Sequence, residues 1–275
     1  MTLNFLNLTV LVRGGGEMAS GIAHRLHSCH MKVLLTEVPM PTTVRRPVAF
    51  AEAVFQGCHQ VEGVEGVRVH SLGEVYGVWE NGGIPVFVDA GAKVREALNP
   101  TVIVDAIMAK RNTGTDKSQA PIVVGVGPGF TAGKNVHAVV ESNRGHNLGR
   151  VLWQGRAEEN TGTPAPVAGY TDERVLRVPQ GGCFKSLHEI GELVAPGDMV
   201  AQVDGCPIKA QVKGVLRGLL KDGIQVGEGM KAGDIDPRGE REYCYLISDK
   251  ARAIAGGVLE AIFCLLKGLA LESKQ

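Results

Sequence analysis

Gly14, Gly16 and Ala19 stand in the spacing Gly-x-Gly-x-x-Ala, directly after the apolar run 8–12. Each position has a task in holding a pyrophosphate. The first glycine makes a strand-to-helix turn, the second lets the backbone approach the anion, and the small third residue lets helix and strand pack closely. Gly15 completes the loop, and Glu17 and Met18 fall in the first turn of a helical pattern that continues through Ile22, Ala23 and Leu26. A helix start of this kind offers unpaired N–H groups and a positive dipole end to an anion. A second apolar run, 32–36, ends at Glu37, about twenty residues beyond Gly16, where a dinucleotide-binding strand places the carboxylate that accepts ribose hydroxyls. Glu37 repels a 2′-phosphate and Arg45 and Arg46 attract one, so NAD and NADP both stay open.

Other strand ends carry similar chemistry. Val88-Asp89-Ala90-Gly91 and Val104-Asp105-Ala106 are polar or Gly-rich, and Lys110 follows the second. In open α/β sheets ligands sit beyond the carboxyl ends of the strands, so Asp105 is expected to line the same crevice as the glycine run. Gly125-Val126-Gly127-Pro128-Gly129-Phe130-Thr131-Ala132-Gly133-Lys134 resembles a phosphate loop. It is not a Walker A motif, because Pro128 stands where that motif needs glycine and Asn135 where it needs Ser or Thr. Gly127, Gly129, Phe130 and Thr131 then form either a ligand loop or a tight turn. His137, Glu141 and Arg144 share one face of a helix expected over 133–143, with His146 in the loop beyond. That edge reads as a site or as a solvated face. The spacing of His137 and His146 matches no zinc arrangement, and no metal is expected.

The elements that position these residues follow from periodicity. Strands are expected at 8–12, 32–36, 85–89, 101–105, 121–126 and 149–153, and helices at 17–29, around 70–80, at 92–98 and at 133–143. This alternation predicts an α/β fold with a Rossmann-like, mainly parallel sheet over 1–157. The stretch 155–175, rich in Pro, Gly and polar residues, reads as a connection. Helical patterns then vanish, and short strands alternate with Gly-Asp and Asp-Gly turns through 175–246. The phrases Gly197-Asp198-Met199-Val200-Ala201 and Ala210-Gln211-Val212-Lys213-Gly214-Val215-Leu216 resemble lipoyl- and biotinyl-carrier domains, which are small barrel-sandwich hybrids. A carrier lysine belongs at a hairpin tip, whereas Met230-Lys231 comes after the strands that should follow it, so Lys231 reads as a turn lysine near the closing strand. A C-terminal helix is expected over 248–272, packing on one of the two domains, with Lys250 and Arg252 near its anion-friendly start and an apolar face that suits a homodimer.

Gly233-Asp234-Ile235-Asp236-Pro237-Arg238-Gly239 gathers two acids and an arginine in what reads as one turn, either ion-paired or docking over the crevice. Cys183 and Cys244 are the candidate reactive thiols among 6 scattered cysteines, which show neither Cys-x-x-Cys nor zinc spacing. Equal numbers of basic and acidic residues, 29 of each, and 5% aromatics disfavour a nucleic-acid partner. No apolar run reaches the ~18 residues of a membrane helix. With no leader pattern at the start, a reducing cytoplasm is the expected compartment.

Together these motifs resemble a known family. Arg13-Gly14-Gly15-Gly16-Glu17-Met18-Ala19, Arg45-Arg46-Pro47-Val48-Ala49-Phe50-Ala51-Glu52-Ala53-Val54, the 127–133 loop and Arg144-Gly145-His146-Asn147-Leu148-Gly149-Arg150 are similar to the selenium-dependent molybdenum hydroxylase system proteins of the YqeB family. So are Gly233-Asp234-Ile235-Asp236-Pro237-Arg238 and Ser248-Asp249-Lys250-Ala251-Arg252. The resemblance covers nearly the whole chain. It implies an accessory protein for maturing these hydroxylases, partnered with the hydroxylase or its maturation machinery, and a Rossmann unit like that of the xanthine dehydrogenase accessory factors. A molybdopterin-type nucleotide joins NAD(P) among the ligands to expect. Two other functions stay open: an NAD(P)-dependent oxidoreductase using His137, His146 or Lys110, and a thiol-based selenium carrier using Cys183 or Cys244.

Overall fold

The computed structural model describes residues 8–160 and 162–272. Residues 1–7 of the expected first domain, Thr161 of the expected connection and residues 273–275 lie outside the described residues. The chain divides into two compact units. Among the described residues the first comprises 8–41, 50–160 and 247–272, and the second comprises 42–49 and 162–246. Sequence alone places 42–49 in the first domain. In the structure it joins the second unit, where Leu219 N–H donates to the Val44 carbonyl at 2.8 Å and Arg46 Nε to the Leu219 carbonyl at 2.9 Å.

The first unit is a mixed α/β structure built on one large sheet. In chain order it runs β1 (Thr9–Arg13), α1 (Glu17–Ser28), β2 (Lys32–Glu37), α2 (Ala53–Gln56), β3 (Cys58–Val61), β4 (Val64–Val69), α3 (Leu72–Glu80) and β5 (Ile84–Val88). There follow α4 (Arg95–Leu98), β6 (Val102–Asp105), β7 (Ile122–Val126), β8 (Ala138–Val140) and β9 (Val151–Leu152). The sheet order is β3-β4-β5-β2-β1-β6-β7-β8-β9. All pairs are parallel except β3 with β4 and β8 with β9, so the antiparallel strands are the two edges. The central strands are runs of Val, Ile and Leu buried on both faces, as parallel strands covered on both sides must be. Leu11, Leu34, Ile103, Val123 and Val139 pack on one face with Val75 of α3 and Phe130.

Two elements differ from expectation. The β3–β4 hairpin was not legible in the periodicity; it turns at Glu62 and Gly63, both with positive φ. More consequentially, the segment expected as a helix over 133–143 is extended. Residues 127–137 cross from β7 to β8 as a loop, and Ala138–Val140 is a buried strand parallel to β7. Gly133 takes positive φ, which a helix excludes, and Val139 and Val140 are fully buried in the sheet.

The second unit holds β10 (Val175–Arg177), β11 (Gly182–Ser186), β12 (Leu193–Val194), β13 (Met199–Val203), β14 (Cys206–Lys209), β15 (Gly214–Leu219), β16 (Gln225–Val226) and β17 (Lys231–Asp236). They form two four-stranded antiparallel sheets, β10-β17-β15-β12 and β14-β13-β11-β16. Phe184, Leu176 and Leu216 are among the largest fully buried side chains. The stretch 233–236, read from sequence as part of a turn, is the end of β17. The turn itself begins at Pro237.

The C-terminal helix α5 (Asp249–Glu272) belongs to the first unit and packs on α1, β7 and β8. Small residues make the contact possible. A Cβ on Gly21 would lie 2.9 Å from the Ala251 Cβ, and one on Gly257 would strike the Gly149 carbonyl. No helix among the described residues is long and apolar enough to cross a membrane.

Candidate functional site

The loops at the carboxyl ends of β1, β2, β6, β7 and β8 carry most of the candidate residues. The first glycine loop is held from both sides by protein. Gly14 has φ +98°, donates its N–H to the Thr36 carbonyl at 2.8 Å, and would bring a Cβ within 3.1 Å of the Ala106 carbonyl. Gly15 donates to Glu37 Oε2 at 2.7 Å and accepts from Ala51 N–H at 2.8 Å and from Ser20 Oγ at 2.9 Å. Glu37, the expected ribose acceptor, is therefore engaged by Gly15 and, through Oε1 at 2.7 Å, by its neighbour Val38. Burial pushes its carboxyl above the ordinary range, against those two hydrogen bonds. Gly16 stands at the N-cap of α1, with Glu17, Met18 and the buried Ala19 in the first turns.

Behind the next loop lies a buried ion pair. Arg13 Nη1 donates to Asp105 Oδ2 at 2.8 Å, and Thr115 Oγ1 donates to the same oxygen at 2.5 Å. Arg13 also contacts Thr115 directly. Asp105 thus ties loop 106–116 to the end of β1 and is turned away from solvent, at 2% exposure. Met108 and Lys110 on that loop both have φ 61°, a left-handed conformation that non-glycine residues adopt rarely and at a cost.

The second glycine loop follows β7. Gly127 N–H donates to the Val140 carbonyl at 2.8 Å, and a Cβ there would strike Ser142 Oγ. A Cβ on Gly129 would lie 2.7 Å from the backbone of Arg111. Both glycines therefore permit close approach of neighbouring loops. Phe130 is buried beneath Gly125 and belongs to the core. Thr131 closes a turn with Asn135 and accepts from Arg156 Nε at 3.0 Å.

Beyond β8, the buried Glu141 organises the rim. Its carboxylate accepts the N–H groups of Ser142, Asn143 and Glu158 at 2.6, 2.7 and 2.7 Å. Arg144 forms a two-pronged pair with Asp249 at 2.7 and 2.8 Å, joining this rim to the start of α5. The next residue, Lys250, enters a pocket of about 210 Å³ lined by Met108, Lys110, Pro128, Ser142, Asn143, Glu158, Glu159 and Asn160. Burial, then the Arg144 charge, lower its pKa; Glu17, Glu141 and Asp249 oppose this and are outweighed. Asn143 and Asn147 hold Glu158 at 2.6 and 3.1 Å and lower its pKa.

Within the first unit the structure thus gathers Lys110, Lys250 and the 127–129 loop. His137 lies at the opposite, amino edge of the sheet. Its Nδ1 accepts from Val123 N–H at 2.9 Å, and burial and Lys117 lower its pKa. The shared helix face of His137, Glu141 and Arg144 does not exist, because that segment is loop and strand. His146 is exposed on the loop after Arg144. Arg45 is buried in the second unit, where Nη2 donates to the Tyr243 and Leu246 carbonyls at 3.0 and 3.1 Å. Met108, Ser142, Asn143, Glu158, Glu159 and Asn160 were not singled out from sequence as site residues. The last three fell in a stretch whose Pro and Gly content marks only a connection.

In the second unit, Asp234 and Asp236 anchor a charge cluster. Asp234 lies 3.3 Å from Lys231 Nζ, 3.6 Å from Arg174 and 4.0 Å from Arg217. Burial pushes its carboxyl up, and Lys231, Arg217, Arg45 and Arg174 outweigh burial to hold it low. Arg238 forks onto Asp236 at 2.9 and 2.6 Å and stacks on Tyr243, 4.6 Å from the ring centre. The segment is ion-paired within the second unit. Cys244 is fully buried, its Sγ facing the Leu216 carbonyl at 3.8 Å, and burial pushes its thiol up. That is the environment of an inert thiol. Cys183 is half-buried at the start of β11, its N–H directed at the Asp204 carboxylate. Among the described residues no cluster of three or more His, Cys, Asp or Glu is placed to hold a metal ion.

No protein-family model matches the chain. It is similar to the uncharacterized protein YqeB of Escherichia coli (strain K12), at 49% identity over 257 residues, which make up 94% of this chain and 48% of that protein. The chain thus spans about half the length of the curated relative it matches. Among solved structures, the apo form of the ectoine utilization protein EutE (DoeB) from Ruegeria pomeroyi is similar at 13% identity and a TM-score of 0.25, over 83% of this chain and 86% of that one. An aspartoacylase family protein from Mesorhizobium loti is similar at 10% identity and a TM-score of 0.26, over 83% and 85%. Scores this low carry no argument about fold or chemistry.

Proposed function

We propose that this chain is an accessory protein in the maturation of selenium-dependent molybdenum hydroxylases, and that it binds the anionic group of a nucleotide-like or pterin-nucleotide ligand. The observation that carries the binding reading is the convergence of Lys110 and Lys250 on the Pro128 loop, at the carboxyl ends of parallel strands. The order β5-β2-β1-β6-β7 reverses direction at β1, the arrangement in which α/β sheets open a ligand crevice, and it supports the Rossmann-like reading. The two small antiparallel sheets of the second unit support a barrel-sandwich-hybrid reading. Lys231 opens β17 there and faces Asp234, which favours a structural lysine over a carrier. The maturation pathway rests on the motifs that resemble the YqeB family.

Size narrows the ligand's pose. A pocket of about 210 Å³ lies below the ~300–1,000 Å³ of drug-sized ligand sites. It admits a phosphate or carboxylate and leaves the remainder of a nucleotide outside. Because Gly15 and Val38 each donate to one oxygen of Glu37, a ribose at the expected place shares that carboxylate with two backbone N–H groups. A thermal-shift panel of NAD, NADP, FAD, CTP, CDP and molybdopterin cytosine dinucleotide tests the proposal. A ligand at one hundred times its Kd adds ~2.7 kcal/mol of stability. A shift that disappears in Lys110→Ala supports the pocket. No shift with any of the six, or one that Lys110→Ala leaves intact, refutes it.

A further inference from the structure

We propose that Lys250 is an imine-forming residue, whose Nζ condenses with the carbonyl carbon of a small 2-oxo acid held in the pocket beside Lys110. The inference rests on reading this pocket as the ligand site, and it names a covalent role for one of its walls.

Placement is the first argument. Lys250 is the second residue of a 24-residue helix, where the dipole disfavours a cation. An ammonium half-buried at such a position needs an acidic partner, and three of the acids around it are engaged elsewhere, while Glu17 acts on it only through space. Glu141 accepts three backbone N–H groups, Asp249 is forked by Arg144, and Glu158 is held by Asn143 and Asn147. No hydrogen bond or ion pair from the described residues reaches Lys250 Nζ. Glu17, Glu141 and Asp249 favour the ammonium through space, while burial and the neighbouring Arg144 favour the neutral amine and prevail. A lysine desolvated next to another cation is the arrangement that makes an amine nucleophilic at neutral pH.

The pocket supplies the rest. Its volume suits a molecule of a few heavy atoms. Lys110 offers a cation for a carboxylate, and the Ser142 hydroxyl offers a donor for a carbonyl oxygen. The amine lone pair forms the C–N bond, and the carbonyl oxygen takes up a proton to give a carbinolamine. Loss of that oxygen as water, with the two amine hydrogens, leaves the imine. Nothing is oxidised or reduced.

The test is borohydride trapping on the full chain with pyruvate, glyoxylate and 2-oxobutyrate at neutral pH, read by intact mass and peptide mapping. The expected result is one carboxyalkyl group per chain, on Lys250, absent in Lys250→Met. Arg144→Gln is expected to slow trapping several-fold at neutral pH by removing the cation that favours the free amine. Circular dichroism of both variants confirms the fold. Adduct scattered over surface lysines, adduct on Lys110, or none with any of the three acids overturns the proposal. A 2-oxo acid that raises Tm without leaving a trapped adduct overturns the imine alone, and the pocket remains the ligand site. A Lys250 adduct with no thermal shift from the nucleotide panel supports the imine and overturns the nucleotide reading.

Discussion

Asp105→Ala removes the carboxylate facing Arg13 across the ends of β1 and β6. The arginine is 5% exposed, and its Nη1 sits 2.8 Å from Asp105 Oδ2. Deleting one member of a buried pair leaves the other charge uncompensated, at a typical cost of ~3–5 kcal/mol. Thr113 remains as an acceptor, its carbonyl 3.4 Å from Nη2, which places the expected loss at the lower end, about 3 kcal/mol. At ~2–4 °C per kcal/mol for a unit of this size, Tm falls by about 6–12 °C. Urea unfolding followed by circular dichroism reads the same change as a lower midpoint at constant m. The double variant Arg13→Met, Asp105→Leu removes both charges and fills the space with apolar atoms. It is expected within ~1 kcal/mol of wild type and above either single variant. A loss under ~0.5 kcal/mol in Asp105→Ala, a value usual for surface changes, or a double variant as unstable as the two singles added together, would refute the buried-pair reasoning.

Glu37→Gln should change the pH dependence of stability. The folded carboxyl titrates above its ordinary value near 4.5, so the stability it contributes is full below that pH and is lost as pH rises through the folded pKa. The Tm advantage of wild type over Glu37→Gln therefore shrinks from pH 4 upward, and an advantage that grows with pH contradicts the burial argument. Native-state alkylation followed by peptide mass spectrometry should modify the exposed Cys58 and Cys264 first and Cys244 last; early labelling of Cys244 would revive it as a carrier thiol. Gly257→Ala ordinarily gains about 1 kcal/mol in a helix interior. Here the new Cβ meets the Gly149 carbonyl and lies 2.9 Å from Val140 Cγ1, so a net loss of ~1–3 kcal/mol is expected in urea unfolding, and a gain would mean that α5 does not pack as described.

Local pattern was enough for much of the fold. The apolar runs of β1, β2, β5, β6 and β7, the amphipathic α1 and α5, and the turn-punctuated second half were all legible, because each signal lies within a few consecutive residues. The segment 133–143 was not. Val136, Val139 and Val140 fall at i, i+3 and i+4, a helix period, while the run 138–140 equally suits a buried strand, and the parallel neighbour β7 makes the extended form the better one. The β3–β4 hairpin escaped for a similar reason, since His59, Gln60, Glu65 and Arg68 interrupt its apolar alternation.

What the sequence determined about the site is that glycine loops and charged residues gather at strand ends. Which charges meet was decided by the tertiary structure. Glu37 and Gly15 bind each other because β1 and β2 are adjacent. Arg45 meets the Tyr243 and Leu246 carbonyls because its segment folds with the second unit. Asp105 faces Arg13 because β1 and β6 are adjacent. Lys110 and Lys250 share a pocket because α5 returns to pack on β7 and β8 after the whole second unit has been traversed. Spacing along a chain reports only neighbours within a turn or a strand. Convergence from distant positions is set by packing.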